Sequence, residues 1–136
     1  MLSDFIIGIE NEERENQKII ALGEGVTTHA RWFGPSSFVW IDQMFDRDYC
    51  LMFLKRQERY ANDILKTRGH LYLNEVYDIL GLPRTVAGQV VGWIYDENCN
   101  ISFNLYSKEY NSEFINGYRA EALLDFNVNG IILDKI

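Results

Sequence analysis

The sequence predicts an α+β domain: one long amphipathic helix and a short helix packed on a small antiparallel β-sheet that ends in a C-terminal hairpin. Three observations carry that prediction. Apolar residues recur at spacings of three, four and seven between about Arg47 and Thr67, they alternate with polar ones in the last third of the chain, and Asn129-Gly130 sits between two apolar runs. The 136 residues are 47% apolar and 14% aromatic, enough for one continuous core. We therefore expect an acidic N-terminal arm or short helix over 1–25 and a single domain over 26–136.

In chain order, residues 10–20 (ENEERENQKII) are helix formers with a solvated, acidic face. VTTHARWF, residues 26–33, is β-branched and aromatic and predicts a strand, which Gly34-Pro35-Ser36-Ser37 ends. Asp46 or Asp48 caps the long helix, whose stripe comprises Tyr49, Met52, Phe53, Tyr60, Ala61, Ile64 and Leu65. Next come a short apolar Leu71-Tyr72-Leu73, Asn74 as a helix cap, and one to two helical turns through Val76, Tyr77, Ile79 and Leu80. Gly81-Leu82-Pro83 stops that helix, because Gly81 can adopt a left-handed conformation and Pro83 cannot continue. Strands are predicted at Val90–Tyr95 and Ile101–Tyr106, and again on either side of Asn129-Gly130.

Net charge is -7, with 13 basic and 20 acidic residues, which argues against a nonspecific duplex-DNA binder. A protein is the expected partner: a second copy, which would make a homo-oligomer, or a different chain. The longest apolar run, Tyr49 to Leu54, is far short of the roughly 20 residues of a membrane-spanning helix. The N-terminus lacks the basic start and apolar core of a secretory signal, so the expected location is the cytoplasm. Cys50 and Cys99 stand in unrelated contexts without metal-ligand spacing, and no cofactor or metal is expected.

Several side chains are candidates for chemistry. His70 with Glu75 and Asp78 could form an acid/base group, since the two acids share a helix face. The structural alternative has His70 finishing the long helix and the acids serving the helix dipole. No G-x-S-x-G or comparable nucleophile motif occurs, and the expectation is a non-enzymatic protein. Lys55, Arg56, Arg59, Lys66 and Arg68 stand against Glu58 and Asp63, a local charge of +3. That is either a site for phosphate or an acidic partner, or a solvated helix face with Lys55–Glu58 and Arg59–Asp63 pairs. Trp32, Phe33, Phe38, Trp40 and Phe45 crowd fourteen residues around Gly34-Pro35, and they are the expected partner-binding surface.

The segment GHLYLNEVYDILGLPRTVAGQVVGW, with ARWF, RYANDIL and the closing FINGYRAEALLDFNVNGIILDKI, resembles the C-terminal domain of an uncharacterised family of tailed-bacteriophage and prophage proteins. The likeness covers roughly residues 30–136. Many members of that family carry hydrophobic helices ahead of the domain, whereas the first 30 residues here are acidic and polar. The resemblance implies a viral origin and an accessory role, in the host cytoplasm or in the virion. It supplies no activity for any residue. The working expectation is thus a phage accessory protein that binds other proteins, with a small inhibitor of a host defence protein and a small hydrolase or ligand-binding enzyme built on His70, Glu75 and Asp78 as alternatives.

Overall fold

The computed structural model describes residues 27–136, so the acidic arm expected at 1–25 lies outside the described residues. The fold is α+β. Strand β1 spans Arg31–Phe33, helix α1 Arg47–Arg68, β2 His70–Tyr72, α2 Leu73–Ile79, β3 Val91–Ile94, α3 Ser112–Ile115, β4 Ala122–Leu124 and β5 Gly130–Ile131. Short 3₁₀ turns cover Asp42–Phe45, Ala87–Gln89 and Leu133–Lys135.

Both ends of α1 follow from single residues. The Asp46 carboxylate accepts the N–H groups of Asp48 (2.9 Å) and Tyr49 (3.2 Å), which satisfies two otherwise unpaired donors. At the far end Gly69 turns left-handed (φ 91°) and its N–H returns to the Leu65 carbonyl at 2.7 Å. Gly69, not His70, therefore ends the helix. The face α1 buries is Cys50, Leu54, Ala61 and Leu65, flanked by the half-buried Phe53 and Ile64. Tyr49, Met52 and Tyr60, predicted to be part of that stripe, are exposed.

There are two small antiparallel sheets rather than one. In the first, β1 pairs with β4 (Arg31 opposite Leu124, Phe33 opposite Ala122). The second has the order β2-β3-β5, with Leu71 opposite Trp93 and Val91 opposite Ile131. The expected strand–turn–strand at the C-terminus is present as β4 and β5, and each arm ladders to a different sheet. β1 is shorter than predicted, because the chain turns at Thr27–Ala30, where Ala30 N–H meets the Thr27 carbonyl. Gly92 lets β3 lie close to β2: a Cβ there would collide with the Leu71 carbonyl.

Ile101–Tyr106 is not a ladder strand, although its burial alternates as expected, with Ile101, Phe103 and Leu105 inside. Two backbone bonds tie it to residues 125–127, from Asp125 N–H to the Phe103 carbonyl (3.1 Å) and from Asn127 N–H to the Ser102 carbonyl (3.4 Å), and side chains hold the rest of its edges. Asn62 accepts Ile101 N–H (2.8 Å) and donates to its carbonyl (3.1 Å), Asn127 accepts Ser102 N–H (2.7 Å), and Glu58 accepts Phe103 N–H (2.9 Å). Asn104 then turns left-handed (φ 54°) and ends the extended run.

Asn74 is also not the cap of α2. It lies inside the first turn, buried, and clamps the backbone of Thr85 from both sides, donating to its carbonyl and accepting its N–H at 2.9 Å each. Glu75 does the capping instead, accepting Tyr72 N–H at 2.8 Å. Gly81 (φ 66°) stops α2 as expected. The turn at 34–37 docks there, through Ser37 Oγ to the Leu80 carbonyl (2.6 Å) and Phe38 N–H to the Gly81 carbonyl (3.0 Å). The core joins these pieces through edge-on ring pairs, Tyr77 with Phe126 and Phe103 with Phe126.

Candidate functional site

The five aromatics between β1 and α1 separate into two roles. Phe33 is fully buried, stacked on Phe53 (centroids 5.6 Å apart), and so belongs to the core, not to a contact surface. Trp32 is half-buried beneath the Arg119 guanidinium, 5.2 Å from its ring. Beyond β1 the character changes. Phe38 is 88% exposed and Phe45 60%, with Trp40 held between Phe33 (5.7 Å) and Phe45 (5.2 Å, edge-on). Trp40 Nε1 is buried and donates to nothing within the described residues.

Two residues not anticipated from sequence extend this surface. Ile41, 43% exposed, falls between Trp40 and the 3₁₀ turn. Tyr118, 83% exposed, shares with Phe45 and Met44 the wall of a recess of about 200 Å³. Tyr118 stands alone in the polar run NGYRAE, so local pattern gives no reason to group it with residues seventy positions earlier.

The acid/base candidates are not brought together. Glu75 Oε2 lies 2.5 Å from Arg68 Nη2, and Asp78 binds Arg84 through both oxygens at 2.9 and 2.5 Å. Each carboxylate thus has its own arginine, and the Arg84 guanidinium holds the Asp78 carboxyl below the usual carboxylate range. The His70 ring meets the edge of Tyr72 (centroids 5.8 Å) and has no hydrogen bond to either acid. Burial pushes the Cys50 thiol up to about 11, which removes it as a nucleophile at neutral pH, and Cys99 is exposed. Among the described residues no three His, Cys, Asp or Glu side chains converge as metal ligands.

The basic residues of α1 also divide. Arg68 belongs to the Glu75 pair; Arg56 and Lys66 are exposed. Lys55 and Arg59 face an open groove of about 740 Å³ between α1 and the 100–107 segment. The expected Lys55–Glu58 and Arg59–Asp63 ion pairs do not form: Glu58 holds the Phe103 backbone, and the Lys55 ammonium sits 5.0 Å from the centre of the Tyr106 ring. No helix among the described residues is long and apolar enough to cross a membrane.

Comparison with known proteins adds one relationship. No curated protein and no solved structure matches the chain. A family of unknown function, DUF6353, matches residues 7–136. With that match spanning nearly its whole length, the chain belongs to the DUF6353 family.

Proposed function

We propose that this chain is a phage-encoded, non-enzymatic accessory protein that works by binding another protein through the aromatic segment 38–45. The observation that carries the reading is the exposure of Phe38 and Phe45, 88% and 60%, on a segment whose backbone is anchored to Gly81 and to the N-terminus of α1. A rigidly held aromatic loses little conformational freedom on association, and such residues dominate interface energies. Phe38, Trp40 and Phe45 are the anchors, with Ile41 and Tyr118 beside them. A second copy or another virion protein is the partner this surface suits. A host defence protein would use the same surface.

The phage assignment rests on the resemblance carried by Leu73-Asn74-Glu75, Gly81-Leu82-Pro83 and Gly92-Trp93. The same resemblance supports a location in the host cytoplasm or in the virion. The acid/base alternative gains nothing from Glu75 and Asp78, which are each committed to an arginine.

The test is a Phe38→Ser, Phe45→Ser double variant. Both positions are exposed, so the thermal midpoint should stay within about 2 °C of the parent, the small change usual for surface substitutions. Mass photometry over a concentration series, together with immunoblots of purified phage particles, should find the parent in oligomers or particles and the variant in neither. A parent that stays monomeric and absent from particles, yet crosslinks through position 38 to a host protein, moves the reading to the host-directed inhibitor. A variant that assembles and crosslinks as the parent does ends the proposal.

A further inference from the structure

The groove on the opposite flank of α1 from Tyr49 and Tyr60 is unused by this reading, and it has its own chemistry. Its floor is tied down: Asn62 and Glu58 hold the backbone of Ile101 and Phe103, which occupies the Asn62 amide and one Glu58 oxygen. Apart from Glu58 and the amides of Asn100 and Asn104, the other polar groups facing the space are cationic or hydroxylic. Among the described residues Arg59 has no carboxylate partner and Lys55 has only the face of Tyr106, and Tyr106 and Ser107 line the same wall. Against these two cations stands one carboxylate, Glu58, one of whose oxygens already accepts the Phe103 N–H. In a chain of net charge -7 this is a locally cationic recess.

Lys55 and Arg59 are one helical turn apart, about 6 Å along the axis. A groove of about 740 Å³ has the volume of a small-molecule site, and its lining is polar where such sites are commonly apolar. Guanidinium binds oxyanions through two parallel N–H donors, and the neighbouring ammonium adds a second charge.

We propose that this groove binds a small organic oxyanion, a phosphate ester or a polycarboxylate, with Arg59 as the principal ligand, Lys55 as the second charge, and Tyr106 and Ser107 as hydrogen-bonding neighbours. The function is separate from partner binding through the 38–45 segment and does not depend on it.

The test is titration of the full chain, followed by backbone amide NMR, with inorganic phosphate, O-phosphoserine, citrate and, as a neutral control, maltose. Phosphate-bearing probes or citrate should give saturable shifts confined to 55–62 and 100–107, and which of the two binds identifies the source of the oxyanion. Arg59→Ala should weaken binding at least tenfold, Arg59→Lys by less, and Lys135→Ala not at all. Raising the salt concentration should weaken it further, as for any ion pair open to solvent. Arg59 is exposed, so folding is not at stake, and an unchanged amide spectrum elsewhere verifies that. The proposal is overturned if no oxyanion saturates, if maltose binds as well, if Arg59→Ala binds like the parent, or if the shifts scatter over every basic side chain.

Discussion

Asparagine decides much of this structure, one side chain at a time. An amide group carries both a donor and an acceptor, so it can mimic the edge of a strand wherever a strand is missing. Asn74 does this for Thr85, Asn62 for Ile101, and Asn111 for Leu123, whose carbonyl and N–H it binds at 2.8 and 2.7 Å. Asn74→Ala would leave two buried backbone groups of Thr85 unpaired and should cost about 2–4 kcal/mol, read as a fall of roughly 10 °C in the thermal midpoint. A fall below 2 °C would mean that water replaces the amide. Asp78 gives a pH signature. Its folded pKa is depressed by Arg84, so the pair stabilises the fold above the ordinary aspartate range, and that contribution is lost as pH falls through the lower folded value. Asp78→Asn should therefore flatten the acid limb of a stability-against-pH curve and leave its neutral region little changed, since the pair is largely solvent-exposed. An acid limb as steep as the parent's would remove the pair from the account.

Among elements, those governed by local signals were legible in the sequence and those governed by distant partners were not. The long helix is predicted within a residue or two, because its apolar spacing and its Asp46 cap are local, the cap acting on backbone N–H groups two and three positions away. Gly81 and Pro83 stop α2 for the same reason. The errors have one cause. Asn74 looks like a cap, and only the approach of Thr85, eleven residues on, shows that its amide faces the other way. The run at 101–106 has the right alternation for a strand, but only two backbone bonds join it to residues 125–127, and the side chains of α1 and Asn127 hold the rest of its edges. Alternation reports which face is buried; it does not say what binds the edges. The same limit applies to the site. Crowding marked the aromatics of 32–45, yet only β1 pairing with β4 separates the buried Phe33 from the exposed Phe38 and Phe45. In the same way, spacing marked Lys55 and Arg59, but the wall supplied by Tyr106 and Ser107 comes from fifty residues away. Asn62→Ala tests the amide-edged run directly. Hydrogen exchange at Ile101 should accelerate at least tenfold while β2 amides keep their protection, and the loss in stability should be about 1–3 kcal/mol. Unchanged exchange at Ile101 would show that the run holds itself.

At the scale of the molecule, the last fifteen residues bind the two sheets to each other. β4 completes the first, β5 completes the second, and Phe126 between them packs on Tyr77 and Phe103. This arrangement places the partner of β1 far along the chain: Arg31 faces Leu124. A nascent polypeptide would therefore emerge with β1 unpaired while about 90 further residues are made, roughly 5–20 s at ordinary synthesis rates. During that interval α1 and the β2-β3 pair can form, since their contacts are close in sequence. The stretch bearing Trp32, Phe33 and Trp40 must wait, with its apolar surface open to whatever else is in the compartment. For this fold the hazardous moment is the birth of the chain, and the synthesis of β4 and β5 brings it to an end.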